Sequence, residues 1–282
     1  MSARPWERST RRPSGDRQRP GPSRGKPEHA DGPVILYGWH TVRAALENPE
    51  RRIRRLFATA NAAKRLAAQG TLRVTPELVR PDAIAGRLSA EAVHQGLLAE
   101  ADPLPARTIE AIPNAGIVLA LDQITDPHNV GAILRSAAAF AATAVVLTAR
   151  YSPQATGVLA KSASGAIELV PIVEIGNLAR GLEALKGRGF LLVGLDSAGT
   201  TDLGSAALSA PLALVIGAEG KGLRQLTRST CDAIARLDLP GRITSLNVSN
   251  AAALALYVAS RRIAGVEHGV AGSLPPHRDE RS

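Results

Sequence analysis

Three stretches of the chain gather side chains capable of chemistry at short spacings. The first is Asp122-Gln123-Ile124-Thr125-Asp126-Pro127-His128-Asn129-Val130-Gly131-Ala132-Ile133-Leu134-Arg135-Ser136-Ala137. Here Asp126-Pro127 sets a turn, Asn129 is placed to cap a helix, and Gly131 leaves room for a close neighbour. Arg135 then recurs one and two helical turns beyond Gly131 and His128, on their face. Among aliphatic neighbours an arginine so placed suits a phosphate or another oxyanion. The same spacing also describes a surface arginine on an amphipathic helix. His128 is open to two roles as well, catalytic or bonded locally in its turn. The second stretch is the loop Gly217-Ala218-Glu219-Gly220-Lys221-Gly222, with three glycines and one carboxylate after the apolar run Leu212 to Ile216. The third runs from Leu237-Asp238-Leu239-Pro240 through Ser245-Leu246-Asn247-Val248-Ser249-Asn250 into the helix-prone Ala251 to Tyr257.

Several common chemistries do not fit these residues. Gly194-Leu195-Asp196-Ser197-Ala198-Gly199 follows a strand, and Asp196 is of the type that binds a ribose, but the spacing of a dinucleotide fingerprint is missing. The 217–222 loop lacks Walker A spacing, and Ser245 and Ser249 lack the setting of a hydrolase nucleophile. There is no metal-ligand cluster, so no metal is expected. One cysteine, Cys231, excludes an internal disulfide framework and suits a reducing cytoplasm.

Alternating elements must position these stretches. From Gly116 the expected order is strand Ile117 to Leu121, helix Asn129 to Phe140, strand Ala144 to Leu147 and helix Ala155 to Ala163. It continues with strand Ile167 to Val173, helix Leu178 to Lys186, strand Phe190 to Leu195 and strand Leu212 to Ile216. Such alternation implies a mostly parallel sheet with helices on both faces, and ligands at the carboxyl ends of its strands. Before it lies a smaller α/β domain. Its strands are expected at Val34 to Gly38, Ile53 to Ala58, Leu72 to Thr75 and His94 to Ala99, its helices at Trp39 to Leu46 and Ala62 to Gln69, with Pro76 opening another. The organisation is therefore a basic tail at 1–32, a first domain at 33–100, a linker at 101–115, a second domain at 116–265 and a loose end at 266–282. The tail carries eight basic against four acidic side chains and almost no apolar anchors, which predicts disorder. The chain's net charge of +9 points to a polyanionic partner, most commonly nucleic acid. No apolar run reaches the roughly 20 residues that span a bilayer, and the first residues lack the apolar core of a signal peptide.

In order, Asp-Pro-x-Asn-x-Gly-x-x-x-Arg, Gly-x-Glu-Gly-x-Gly and Ser-Leu-Asn-Val-Ser resemble the three signature motifs of the SpoU/TrmH family. Its members are RNA 2′-O-ribose methyltransferases of the SPOUT superfamily. The likeness covers about residues 116 to 264. Residues 34 to 100, with Tyr37-Gly38 and His94-Gln95-Gly96, resemble the family's substrate-binding domain, which has a ribosomal-protein-like α/β fold. One departure is Leu237-Asp238-Leu239-Pro240-Gly241, where many members read Ile-Pro-Met-x-Gly. It shifts the proline and keeps the glycine.

The resemblance implies a deep trefoil knot in the second domain, S-adenosyl-L-methionine bound in it, and a homodimer formed through that domain. It places Gly217, Leu237 and Leu246 along the adenosine, with Gly194 and Leu195 nearby. It assigns functional roles to Asn129, Arg135, Glu219, Ser245 and Asn247. Glu219 would orient Arg135 or the ribose, and its residue type also suits a helix N-terminus. Arg135 is open to two roles, a general base or a cation that clamps phosphate and developing alkoxide. The expected substrate is a guanosine ribose in large-subunit ribosomal RNA, which the separate N-terminal domain favours over transfer RNA. A non-catalytic RNA-binding protein on the same fold is the alternative. The arginines between residues 4 and 24, with Arg51, Arg52, Arg54 and Arg55, are expected on RNA phosphates.

Overall fold

The computed structural model describes residues 32–70, 73–149, 159, 162–243 and 245–268. The tail up to residue 31, most of the expected helix Ala155 to Ala163 and the end beyond residue 268 lie outside the described residues.

The first layer runs β1 (Val34–Tyr37), α1 (Trp39–Glu47), β2 (Ile53–Ala58), α2 (Ala60–Ala68), β3 (Glu77–Leu78), α3 (Pro81–Ala85) and β4 (Leu97–Ala101). Its sheet has the order β1-β4-β2-β3, with β4 antiparallel to both β1 and β2 and β3 parallel to β2. On one face Leu36, Leu56, Leu97 and Ala99 bury against Trp39, Val42 and Leu46 of α1 and Leu66 of α2. On the other, Phe57 and Leu98 close over Ile84 of α3. The strand expected from Leu72 to Thr75 is absent over 73–75, and pairing falls instead on Glu77–Leu78. Pro81, not Pro76, opens the next helix, at a position where its missing N–H costs nothing. His94 to Gly96 is not strand either. Gln95 and Gly96 sit at φ 52° and 79°, a turn that no ladder accommodates.

The second layer continues with β5 (Ile117–Asp122), α4 (Pro127–Ala139), β6 (Ala144–Thr148), β7 (Ile172–Ile175), α5 (Leu178–Gly187), β8 (Leu191–Leu195), β9 (Thr201–Asp202), β10 (Leu212–Gly217), α6 (Gln225–Thr230), β11 (Ala233–Arg236) and α7 (Val248–His268). Seven strands form one sheet in the order β7-β6-β5-β10-β8-β11-β9, and every pairing is parallel. Burial on both faces explains the uninterrupted aliphatic runs. Along β10, Leu212, Leu214 and Ile216 enter the core shared with α4 and α7, while Ala213 and Val215 enter the core under α5. The alanines of α7 serve this chain's own interior, since Ala252, Ala255 and Ala259 are fully buried against it.

Two boundaries differ from expectation. The strand placed at Ile167 to Val173 begins only at Ile172, because Ala166–Glu168 is a 3-10 turn committed elsewhere. The second apolar step, Leu237-Asp238-Leu239-Pro240, is loop rather than strand, because β11 stops at Arg236.

The 3-10 turn is held by a buried cluster. Arg51 donates from Nη2 to Glu168 Oε1 at 2.7 Å and from Nε to both carboxylate oxygens at 3.1 Å. Asn48 Nδ2 donates to Glu168 Oε2 at 2.8 Å, and Arg51 Nη1 to the Asp102 carbonyl at 2.8 Å. Both charged side chains are nearly inaccessible, at 3% and 2% exposure. Arg51 is therefore unavailable to RNA, contrary to the expectation from charge alone. Arg55 forks onto Glu77 and Arg54 pairs with Asp102, so they too are largely committed within the chain. Arg52 stays 84% exposed. Removing one partner of a buried ion pair strands the other charge. We expect Arg51→Ala to lower unfolding free energy by about 3–5 kcal/mol in urea titration. A loss within about 0.5 kcal/mol, the range of ordinary surface changes, would mean the cluster does not hold the two layers together.

Candidate active site

All strands of the large sheet run the same way, so their carboxyl ends share one edge. After β7 the chain crosses to the far side of β5, and β10 enters between β5 and β8. The order thus reverses around β5, β10 and β8, the place where α/β sheets hold ligands. Asp122 ends β5, Leu195 ends β8, Gly217 ends β10 and Arg236 ends β11.

Three segments meet above that edge. Asp126 caps α4, its Oδ1 accepting the His128 N–H at 3.1 Å, and Pro127 follows at the first helical position. Asn129 is therefore not the cap, as its position suggested. It stands in the first turn with its side chain free to act elsewhere. Asn247 precedes α7 and works as that helix's cap, since its Oδ1 accepts Ser249 N–H at 2.9 Å and Ser249 Oγ–H at 2.6 Å. Capping fixes the orientation of the amide. Its Nδ2 then donates to Asn129 Oδ1 at 3.1 Å and to Glu219 Oε2 at 3.4 Å. One amide joins α4, the β10 loop and α7.

The loop carrying Glu219 is tightly folded. Gly222 N–H donates to the Ala218 carbonyl at 2.9 Å, and Gly220 and Gly222 take φ of 74° and 61°. A Cβ on Gly217 would lie 2.2 Å from the carbonyl carbon and oxygen of Gly222. This glycine is thus required for the loop to double back. Sequence reasoning missed what anchors the loop. Asp122 is wholly buried and accepts from Arg224 Nε at 2.6 Å and Arg224 N–H at 3.1 Å. The available signal was an aspartate closing an otherwise aliphatic strand. Glu219 caps no helix, as α6 begins only at Gln225.

Asn129, Glu219 and Asn247 are thus brought together, while Arg135 and Ser245 are not bonded to them. Arg135 is exposed on α4 and makes no hydrogen bond or ion pair among the described residues. It lies about 10 Å along the helix from His128, which contacts Ser162 Oγ at 3.3 Å. Gly131 does admit a close neighbour, for a Cβ there would meet Ser162 Cβ at 2.3 Å. Ser245 is exposed and likewise unbonded among the described residues.

The leucines expected near a cofactor sit at strand ends and in the segment before α7. Leu195 and Leu237 are half-buried against the core at the ends of β8 and β11, and Leu246 is half-buried next to Asn247. Gly194 has a packing reason, because a Cβ would strike Leu223 Cδ1 at 2.7 Å and Ile234 Cδ1 at 2.8 Å. Asp196 is taken by Arg228 Nη1 at 3.0 Å and by Ala198 N–H at 2.9 Å. It is not left for a ribose. Cys231 contributes no thiolate, since burial, with Asp232 beside it, pushes its thiol up to about 11. Among the described residues no cluster could hold a metal ion.

Polar groups from three segments meeting at the carboxyl edge of a parallel sheet place this chain among the α/β proteins that hold a ligand at that edge. Comparison identifies which. Residues 116–257 match the SpoU rRNA methylase family, and residues 35–106 match the family described as RNA 2′-O ribose methyltransferase substrate binding. The chain belongs to the SpoU family of RNA methyltransferases, whose cofactor is S-adenosylmethionine. It is 36% identical over 237 residues to the 23S rRNA (guanosine-2′-O-)-methyltransferase RlmB of Pseudomonas putida, a match covering 80% of this chain and 96% of that one. Identity to the enzyme of the same description from Vibrio cholerae is 36% over 244 residues, covering 81% and 96%. Among solved structures it is similar to the SpoU methyltransferase AviRb of Streptomyces viridochromogenes in complex with its cofactor AdoMet, with a TM-score of 0.69 and 26% identity over 82% of this chain and 90% of that one.

The crowding at Gly217 yields a sharp expectation. Gly217→Ala should displace the 218–222 loop and weaken S-adenosylmethionine binding at least about tenfold in calorimetry, about 1.4 kcal/mol. Gly187→Ala serves as control, since a Cβ there meets nothing within 4 Å. Equal affinity in the two variants would separate this loop from the cofactor site.

Proposed function

We propose that this chain transfers a methyl group from S-adenosylmethionine to the 2′-hydroxyl of a guanosine in 23S ribosomal RNA. The observation carrying this reading is the Asn247 amide, which bonds Asn129 and Glu219 at once and so unites the three motif segments at one sheet edge. The names of the relatives supply the base and the RNA.

When bound, the cofactor supplies a methyl group on a positively charged sulfur, suited to in-line displacement. The chain's own residues do the rest. Leu195, Leu237 and Leu246 wall the adenosine, while Gly217 and Gly194 let the backbone come close. Asn247, fixed by its capping bond, orients Asn129 and Glu219 toward the ribose. Ser245, exposed two residues earlier, contacts the nucleotide. Arg135 is a clamp for the neighbouring phosphate and for negative charge developing on the 2′-oxygen, the easier role for a group whose usual pKa is above about 12.

The reading extends to the assembly. The chain pairs as a homodimer through the second layer, with the C-terminal segment forming a trefoil knot, in the cytoplasm. The domain limits are those read from the sequence. Support comes from Leu254 and Tyr257 of α7, 43% and 53% exposed, and from the exposed, unpaired Arg135, a group a second subunit's site could use. Light scattering at micromolar concentration should give twice 29.4 kDa.

Activity is tested with a ribosomal RNA transcript and methyl-labelled cofactor. A 2′-O-methyl group blocks alkaline cleavage at its own nucleotide, so one guanosine should become alkali-resistant; label on a base would overturn the reading. In the same assay Arg135→Ala should reduce turnover by about 10²–10³ with cofactor affinity unchanged. Arg135→Lys, which keeps charge but loses the planar fork, should lose part of it. Undiminished turnover in Arg135→Ala would remove the residue from the mechanism.

A further inference from the structure

The first layer contains a cavity of about 300 Å³ far in sequence from the motifs just described. Its walls include Trp39, Thr59, Asn61, Arg65, His94 and Gln95. The volume falls at the low end of small-ligand sites, about 300–1,000 Å³. Its rim is built with care. Gln95 Oε1 accepts the Trp39 N–H at 2.8 Å, which satisfies the first turn of α1 and holds Gln95 at its positive φ. His94 Nδ1 accepts the Gly96 N–H at 3.0 Å. In a neutral ring that bond leaves the proton on Nε2, as a donor on the cavity wall. The Arg65 guanidinium lies 3.8 Å over the Trp39 ring, in stacking contact.

Charge separates this place from the rest of the layer. Arg51, Arg54, Arg55 and Arg87 each pair with a carboxylate of the same layer or of the adjoining 3-10 turn. Among the described residues, Arg65 and its neighbour Lys64 meet none. A cation that stays unpaired, stacked on an indole beside free amide and imidazole donors, is equipped for a flat, polar-edged, anion-linked ligand. An unpaired nucleotide has those properties. Single-stranded RNA is recognised by stacking on aromatic or guanidinium planes together with hydrogen bonds to base edges.

We propose that this cavity receives an unpaired nucleobase of the RNA, stacked on Arg65 over Trp39 and read at its edge by His94 and Asn61. The proposal rests on the reading that RNA is the substrate. It assigns the cavity a base other than the one methylated.

The test uses the full chain, the ribosomal RNA transcript and S-adenosylmethionine. One base stacked on such a platform contributes roughly tenfold or more in affinity. Arg65→Ala and Arg65→Lys should both raise KM for RNA by about that factor, with kcat at saturating RNA and cofactor affinity unchanged. Asn61→Ala, on an exposed position of α2, should raise it less and covers the case in which an Arg65 variant fails to fold. With Trp6→Phe the chain has Trp39 as its one indole, and its fluorescence should change with short single-stranded RNA but not with the matching duplex. Wild-type KM in Arg65→Lys would overturn the stacked base in favour of plain phosphate attraction. Unchanged KM in Arg65→Ala and Asn61→Ala, with methylation intact, would overturn the cavity and leave the methyltransferase standing. A wild-type chain that binds cofactor but no RNA would overturn both.

Discussion

Everything at the site depends on β10 being paired on both sides. It lies in register with β5 from Leu212–Ile117 to Gly217–Asp122, and with β8 from Leu212–Leu191 to Ile216–Leu195. That double pairing sets the end of β10 level with the ends of its neighbours. A shift of one residue would turn Leu214 and Ile216 toward the face now filled by Ala213 and Val215. It would also separate Gly217 from Asp122. Among the described residues the buried Asp122 carboxylate is satisfied by Arg224, two residues after Gly222, through both backbone and guanidinium. Strand register and loop closure are therefore one constraint, and Glu219 is delivered to Asn247 by it.

A second constraint acts from the helices. Asp126 and Asn247 both hold helix starts, but with different consequences. Asp126 spends its side chain on α4 and leaves Asn129 free one turn in. Asn247 spends only its oxygen on α7 and keeps its nitrogen for the neighbouring segments. An amide can serve both duties because it carries donors and an acceptor, whereas an aspartate at position 247 would set two carboxylates, its own and Glu219's, against each other.

The layered architecture was legible because two-sided burial leaves a plain trace. Runs such as Ile117 to Leu121 and Leu212 to Ile216 are aliphatic throughout and bounded by glycine or proline, and both proved to be central strands. The seven-stranded order was not legible, since nothing local to β10 tells that it lies between β5 and β8. The failures came where one distant contact outweighed local preference. Ala166 to Glu168 has the look of strand continuation, yet Arg51, more than a hundred residues earlier, takes Glu168 into a turn. At the site, Asn129, Glu219 and Asn247 were legible as residue types at motif spacing, but their meeting point was not. Asp122 was passed over because its partner lies across the sheet edge, in a segment with no pattern of its own.

The distribution of charge follows the same logic of commitment. A chain of net charge +9 has many cations to offer, and counting them suggested that the arginines around β2 face RNA. Folding reverses that inference for most of them. Arg51 is sealed against Glu168, and Arg55 and Arg87 flank Phe57 at 4.6 and 4.2 Å while pairing with Glu77 and Glu100. These cations stitch the first layer and shield its apolar surface. Breaking an ion pair to reach a phosphate costs little at an exposed pair such as Arg55–Glu77 and much at the buried Arg51–Glu168. Arg65 on α2 and Arg135 on α4 belong to the cations that meet no carboxylate among the described residues. Arg65 shares a cavity with His94 and Asn61 on the first layer, and Arg135 stands exposed on α4 of the second. The buried Arg51–Glu168 cluster joins the first layer to the turn before β7, and so ties the layer that carries Arg65 to the layer that carries Arg135.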